Sequence, residues 1–205
     1  MKKEKIILVL NGKLFKKSKL TLFLKDYSKI ICVDGAANKV INANMKPDYI
    51  IGDLDSISRI NLVKYKNKIV ELKDQNYNDL QKALNWLKNN GTSNIDIIGF
   101  DGKRADHMIN NFNIIIDDIN NFNIKIITER GTFYTVDKKM TFNNILNKSV
   151  SLFNKNPNNQ ISSKGLKYEL KDRILLNMYE GTLNLAIQNN ITVVTKHKIL
   201  IFISN

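Results

Sequence analysis

Cysteine, proline and long apolar runs are all scarce in this chain of 205 residues. The single cysteine, Cys32, excludes an internal disulfide bond and suits a reducing compartment. The apolar run at residues 6–10 is too short for the core of a signal peptide, and no run is long enough to span a bilayer. These absences predict a globular cytoplasmic protein that does not partner a membrane.

Acidic residues are also few, which leaves a formal net charge of +13. Such a charge raises the hypothesis of a basic protein that binds RNA or DNA. That class of protein usually clusters arginine and aromatic residues on one face, whereas most basic residues here are lysines spread along the chain. We therefore expect no nucleic-acid partner, although the charge could help to attract a polyphosphate.

The first two thirds of the chain alternate between two kinds of apolar pattern. Helical spacing occurs at Leu80, Ala83, Leu84 and Leu87, and again between residues 109 and 119. Short runs rich in Ile and Val, typical of buried strands, lie at residues 6–10, 30–33, 49–51, 69–72, 95–99 and 124–128. Strands that alternate with helices predict a mostly parallel sheet covered on both faces.

After about residue 130 strand-like runs follow one another without a helix. These runs lie at residues 132–136, 149–153, 166–170, 184–188, 191–195 and 199–203. Turns are predicted at residues 154–160 and at Glu180-Gly181. We therefore predict an α/β part followed by an antiparallel sandwich or barrel, with the boundary near residues 129–138.

Two aspartates, Asp53 and Asp55, directly follow the strand predicted at residues 49–51. In an extended segment, residues two positions apart point the same way, and two like charges held together favour a cation between them. Carboxylate oxygens suit Mg²⁺. An Asp-rich turn in which Asp55 or Ser56 caps the next helix explains the same residues, so this motif alone leaves both interpretations open.

Other polar motifs follow neighbouring strands. Asp34 begins a stretch of small residues after one strand, Asp79 opens the helix after another, and Arg104 and Asp106 follow a third. Each has a purely structural interpretation as a cap, a first-turn acid or a packing residue. Together they place several carboxylates and an arginine at one edge of the sheet. That combination indicates metal-assisted phosphoryl transfer.

The order of these motifs resembles the thiamine pyrophosphokinase family over nearly the whole chain. The segments that carry the resemblance are Asp34-Gly35-Ala36-Ala37-Asn38, Gly52-Asp53-Leu54-Asp55-Ser56-Ile57, Asp74-Gln75 to Asp79, Arg104-Ala105-Asp106-His107 and Gly165-Leu166-Lys167-Tyr168. The resemblance implies transfer of the pyrophosphoryl group of ATP to the hydroxyl of thiamine, which yields thiamine diphosphate and AMP. It implies an α/β, Rossmann-like domain, at residues 1–132, followed by a small all-β sandwich domain, at residues 133–205. It also implies Mg²⁺ as cofactor and a homodimer with the active site at the subunit interface.

The resemblance also implies roles for individual residues. Mg²⁺ and the nucleotide phosphates would be held by Asp53, Asp55 and Asp79, while Arg104 and Asp106 would contact the phosphates and the reacting hydroxyl. The remaining expected binding residues are Asp34, Gly35 and Asn38 at the nucleotide, Gln75 near thiamine and the metal, and Asn184 near thiamine. Whether Asp53, Asp79 or Asp106 takes the hydroxyl proton is left open.

Three departures from the family pattern keep alternatives in view. Asn76 and Asn78 stand where the family usually has Asp and Thr, Leu183 replaces a serine, and Ala36 replaces a glycine. The first two changes allow a related pyrophosphokinase that acts on a pterin-like alcohol. An inactive member of the family is the remaining alternative, which the survival of the five catalytic candidates argues against.

Overall fold

The computed structural model describes residues 4–102 and 104–205, and the chain divides into two units. The first unit comprises Met1–Ile114 and Ile126–Thr128, and the second comprises Ile115–Lys125 and Glu129–Asn205. Helix α5 (Ala105–Asp118) and strand β6 (Asn123–Ile127) carry the chain between the units. None of the helices in the described residues combines the length and the apolar character needed to cross a lipid bilayer.

The first unit is built on a parallel sheet in the order β5-β1-β2-β3-β4. Its strands are β1 (Ile6–Val9), β2 (Lys29–Val33), β3 (Tyr49–Gly52), β4 (Ile69–Glu71) and β5 (Asn94–Ile98). Its helices are α1 (Lys17–Leu24), α2 (Ala36–Asn42), α3 (Arg59–Lys64) and α4 (Asp79–Asn89), with a short 3₁₀ turn at Lys66–Lys68. Strand β1 is apolar and buried along its whole length, as a parallel sheet covered on both faces requires.

Helix α4 shows how the local sequence sets an element that carries site residues. The Asn78 side chain accepts a hydrogen bond from the backbone N–H of Gln81, and the Gln81 side chain accepts one from the backbone N–H of Asn78. This reciprocal cap satisfies two donors that a helix start would otherwise leave free. It fixes the first turn at Asp79, while Leu80, Leu84 and other apolar residues face the core.

The second unit consists of two antiparallel sheets, in the orders β12-β9-β14-β7 and β11-β10-β13-β8. The strands are β7 (Gly131–Val136), β8 (Lys139–Phe142), β9 (Ser149–Phe153), β10 (Gln160–Lys164), β11 (Arg173–Ile174), β12 (Asn184–Leu185), β13 (Ile191–Thr195) and β14 (Ile199–Ser204). One apolar cluster joins residues of both sheets, including Val150, Ile161, Val193 and Ile201. The predicted α/β fold followed by a β-sandwich is thereby confirmed.

The strand predicted at residues 166–170 is wrong. Gly165 has φ +88°, and Leu166 forms only an isolated bridge with Ala186. Side chains satisfy part of the backbone there, because Glu169 accepts from the N–H of Gly165 and Ser163 accepts from the N–H of Leu170. Lys167 donates its N–H to the backbone carbonyl of Leu185. Helix α1 and strands β8, β10 and β11 were not predicted from the sequence, and α3 is capped by Ser58 rather than by Asp55 or Ser56.

Candidate active site

The site lies at the carboxyl ends of the parallel strands, where the strand order reverses between β1 and β5. The loops that follow these two strands run side by side, because Gly12 donates its N–H to Gly99 O at 2.9 Å. A Cβ at position 12 would lie 2.2 Å from Gly99 O, so only glycine allows this approach. In parallel α/β sheets such a crevice is the usual ligand site.

A cavity of about 450 Å³ opens in this crevice. Asp34, Asp55, Asp79 and Arg104 are among the residues that line it. The backbone contribution comes from the loops after β1 and β5, including Gly12 and residues 99–101. The cavity therefore brings together four side chains that the sequence placed after three different strands and at the start of α4.

Asp34, Asp53 and Asp55 form a cluster in which one carboxylate oxygen of each lies within 4.8 Å of the others. The sequence predicted that Asp53 and Asp55 converge because they lie in an extended segment. That reason is wrong, because Leu54 between them has φ +69° and the segment is not extended. Asp34 also has a positive φ, of 47°. Left-handed conformations in non-glycine residues are costly and often occur at functional sites.

The loops that carry these aspartates are tied together by hydrogen bonds. The Ser56 N–H donates to Asp34 Oδ1 at 3.2 Å, and the Ser56 hydroxyl donates to Asp55 Oδ1 at 2.8 Å. Asn38 donates to the Ser56 carbonyl at 3.0 Å and accepts from the Ser58 N–H at 3.1 Å. Asn38 thus joins the start of α2 to the acidic loop, a positioning role that its predicted place at the nucleotide did not specify.

Asp79 reaches the cluster through a lysine that sequence reasoning missed. Lys82 Nζ lies 3.3 Å from Asp79 Oδ1 and 3.4 Å from Asp53 Oδ2, and its side chain is only 4% exposed. Burial raises the pKa of Asp79 above its ordinary value, and the Asp53 carboxylate adds to the rise while Lys82 opposes it. The available signal was the place of Lys82 on the buried face of α4, between Leu80 and Leu84.

Arg104 and Asp106 form an exposed ion pair beside the first turn of α5. Arg104 Nε donates to Asp106 Oδ1 at 3.0 Å, and a second bond joins Nη2 to Oδ2 at 2.5 Å. This hydrogen bonding with Arg104 lowers the pKa of Asp106 to about 2. The arginine lines the cavity and keeps most of its side chain in solvent, where it can meet an incoming anion.

The remaining predicted residues lie elsewhere or act through the backbone. Gln75 is exposed in the loop before α4 and is not among the residues that line the cavity. Gly35 precedes α2, where a Cβ would lie 2.6 Å from the Asn11 side chain. Asn184 belongs to the second unit, where its side chain donates to the carbonyl of Tyr168 and accepts from its N–H.

The donor set fits a divalent cation. Asp53 Oδ1 is buried and has no hydrogen-bond partner, an arrangement that costs free energy unless a cation or another donor satisfies the oxygen. The three clustered carboxylates supply hard oxygen ligands of the kind that Mg²⁺ prefers. Among the described residues, the group of three contains Asp34, which was expected only at the nucleotide. It does not contain Asp79, which was expected to bind the metal.

An acidic cluster and an arginine thus lie together in the crevice of a parallel sheet, an arrangement that suits a phosphate-bearing ligand and a divalent cation. The model of the thiamin pyrophosphokinase catalytic domain matches residues 20–128. The model of the thiamin pyrophosphokinase substrate-binding domain matches residues 131–202. The chain belongs to the thiamin pyrophosphokinase family.

Curated relatives agree with this family. Thiamine pyrophosphokinase 1 of Arabidopsis thaliana is 33% identical over 135 residues, which cover 53% of this chain and 49% of that protein. Thiamin pyrophosphokinase 1 of Caenorhabditis elegans is 28% identical over 163 residues, covering 71% of this chain and 65% of that protein. The chain thus spans about half the length of the Arabidopsis relative.

Solved structures share the fold. The thiamine pyrophosphokinase of Bacillus subtilis superimposes with a TM-score of 0.78 and 23% identity, covering 98% of this chain and 99% of that one. The thiamin pyrophosphokinase of Candida albicans gives a TM-score of 0.76 with 22% identity, covering 98% and 88% of the two chains.

Proposed function

We propose that this protein transfers the pyrophosphoryl group of ATP to the hydroxyl of thiamine, giving thiamine diphosphate and AMP. The observation that carries the proposal is the cluster of Asp34, Asp53 and Asp55, of which Asp34 and Asp55 line the same crevice as Arg104. Membership of the family, with models of both its catalytic and substrate-binding domains matched, supports this reaction over other phosphoryl transfers.

Mg²⁺ is the proposed cofactor, held by Asp53 and Asp55 with Asp34 or Asp79. When bound, the ion would neutralise charge on the phosphate oxygens. The chain's own residues would do the rest by positioning. Gly12 allows the loops after β1 and β5 to lie close together beside the phosphates, and Arg104 presents a planar cation to their oxygens.

The hydroxyl of thiamine would attack the β-phosphorus of ATP, forming one P–O bond as the bond to AMP breaks. Its proton would pass to a carboxylate of the crevice. The candidates for this proton remain Asp53, Asp79 and Asp106. Burial raises the pKa of Asp79, which favours it as the acceptor, whereas hydrogen bonding with Arg104 lowers the pKa of Asp106 to about 2 and makes it the weaker base. Orientation and electrostatic stabilisation would supply most of the rate, as is usual for phosphoryl transfer.

The second unit is the proposed thiamine-binding part, within the domain limits of residues 1–132 and 133–205 expected from the sequence. The Asn184 side chain fixes the backbone of the exposed Tyr168, because it donates to the Tyr168 carbonyl and accepts from the Tyr168 N–H. In the proposed homodimer, these residues of one subunit would complete the crevice of its partner. We also propose a cytoplasmic location.

The test is product formation by the purified protein with Mg-ATP and thiamine, with a pterin alcohol run in parallel. The proposal expects AMP and thiamine diphosphate in equal amounts, and no product after chelation of divalent ions. Turnover of the pterin alcohol alone would overturn thiamine as substrate. In that case, the exposed Leu183 at φ +58°, where the family usually has serine, would be the first residue to examine.

A further inference from the structure

Lys82 is a buried cation beside the acidic cluster. Its side chain is 4% exposed, although a lysine normally extends its ammonium into solvent. A buried ammonium is costly unless carboxylates pair with it. The reciprocal cap between Asn78 and Gln81 fixes the helix start and therefore the place of Lys82 on the next turn. The position of this charge is thus set by the fold.

The contacts of Lys82 are spread over two carboxylates. Nζ lies 3.4 Å from Asp53 Oδ2 and 3.3 Å from Asp79 Oδ1. Both distances exceed the roughly 2.7–2.9 Å of strong charge-assisted hydrogen bonds, so the ammonium is bound tightly to neither oxygen. The other oxygen of Asp53, Oδ1, is buried without a partner. One oxygen of Asp53 therefore faces the Lys82 ammonium, and the other oxygen remains available to a second cation.

The local charge explains what the ammonium does. Asp34, Asp53, Asp55 and Asp79 contribute four carboxylates, and Lys82 offsets one of them. The ammonium also repels any second cation that enters the cluster. A divalent ion alone should consequently bind weakly, and should bind better when it arrives with the negative charge of a polyphosphate.

We propose that Lys82 is a positioning residue that keeps the affinity of the acidic cluster for a divalent cation low until the polyphosphate brings the ion in. This inference rests on the proposed function for the identity of the polyphosphate. Its core is a property of the free protein, namely that a lysine charge weakens metal binding. If Lys82 acted only through its hydrogen bonds, its removal would weaken metal binding, because carboxylates that are no longer anchored bind an ion less well.

The experiment measures Mn²⁺ binding to the protein without nucleotide, using the electron paramagnetic resonance signal of free Mn²⁺. Lys82→Met and Lys82→Gln both remove the charge, and the glutamine retains a hydrogen-bond donor. We expect each to bind Mn²⁺ about tenfold more tightly than the wild type, as expected for loss of one nearby like charge in a medium of intermediate dielectric constant. Lys82→Arg, which keeps the charge, should stay near the wild-type affinity.

Lys88→Met is the matched control, because it removes an exposed lysine from the same helix. It should leave Mn²⁺ affinity unchanged. Equal or weaker Mn²⁺ binding by the folded Lys82→Met or Lys82→Gln variant would overturn the inference, and so would a lack of Mn²⁺ binding in every variant. Thermal unfolding identifies which neutral variant is folded, and either one suffices.

The outcome is separable from that of the proposed function. Tighter Mn²⁺ binding by the neutral variants would support the role of Lys82 even if thiamine were not turned over. Conversely, wild-type synthesis of thiamine diphosphate with unchanged Mn²⁺ affinity in the variants would uphold the function and overturn the role of Lys82.

Discussion

The side-chain amide of Asn38 donates a 3.0 Å hydrogen bond to the backbone carbonyl of Ser56, which ties the start of α2 to the loop that carries the acidic cluster. The oxygen of the same amide accepts from the Ser58 N–H and from the Asn61 side chain. Asn38 therefore satisfies two backbone groups of the loop that contains the left-handed Leu54 and one side chain of α3. The loop depends on one side chain for much of its shape.

We predict that Asn38→Ala destabilises the protein and weakens its Mn²⁺ affinity. The loss of three hydrogen bonds, one of them to a backbone carbonyl, should lower the free energy of unfolding by about 1–3 kcal/mol. Denaturant unfolding and Mn²⁺ titration measure the two effects. Asn113→Ala, at an exposed position of α5, is the control. Unchanged Mn²⁺ affinity in Asn38→Ala would show that the loop keeps its shape without this amide.

Asp53→Asn should abolish metal-dependent turnover while leaving the fold intact. The expected loss is at least about a hundredfold, because a catalytic metal supplies several kcal/mol of charge stabilisation. Removal of one of several clustered negative charges should not itself unfold the protein. Steady-state kinetics and thermal unfolding check both parts, with Asp26→Asn as an exposed control. A rate near the wild-type value would remove Asp53 from the catalytic residues.

Arg104→Gln should lower kcat more than it raises KM, because the arginine is expected to meet charge that develops on the phosphates. A loss of about a hundredfold is typical for removal of one such electrostatic contact. The kinetics with Mg-ATP measure it, and Arg59→Gln on α3 serves as the exposed control. If KM rose while kcat stayed unchanged, Arg104 would bind the ground state and the transition state equally and would not act on the chemical step.

Tyr27 gives a pH-dependent prediction remote from the chemistry. Its hydroxyl donates a 2.6 Å hydrogen bond to Asp96 Oδ2. Burial is the main cause that raises the pKa of Tyr27, and the hydrogen bond to Asp96 raises it further. The folded protein thus holds the proton more tightly than the unfolded chain, whose tyrosines titrate near pH 10. This stabilisation is fully present below about pH 10 and is lost as the pH rises further.

Tyr27→Phe should therefore be less stable than the wild type by about 1–2 kcal/mol at pH 7 to 9, and the difference should shrink above about pH 10. Denaturant unfolding at a series of pH values measures the difference. Tyr77→Phe, at an exposed position, should show none. A difference that stays constant up to pH 11 would contradict the assignment to Tyr27 ionisation.

The parallel strands and helix α4 could be predicted because their apolar residues follow a regular spacing. Helix α1 lacked such a signal, since only Leu20 and Leu24 are buried in its eight residues. The mistaken strand at residues 166–170 has a spacing that fits a strand, because Leu166 and Leu170 are both buried. Side chains satisfy part of the backbone there, and this choice is not visible in the apolar pattern.

Much of the acidic site could likewise be anticipated, because the carboxyl ends of parallel strands meet at one edge. Two features could not. The left-handed backbone at Leu54, which accompanies the convergence of Asp53 and Asp55, is set by tertiary structure rather than by a residue that favours it. Lys82 was overlooked because lysine is normally a surface residue, and only the packing of α4 shows that its charge is buried.

Strand β1 has neighbours from opposite ends of the first unit, since Ile7 pairs with Ile30 on one side and with Asp96 on the other. The crevice therefore comes into existence only when the last strand of that sheet docks beside the first. Contacts so distant along the chain close long loops, and domains rich in such contacts fold more slowly. A ligand of the crevice would thus bind only after this unit has folded. Once bound, it would slow the separation of β1 from β5.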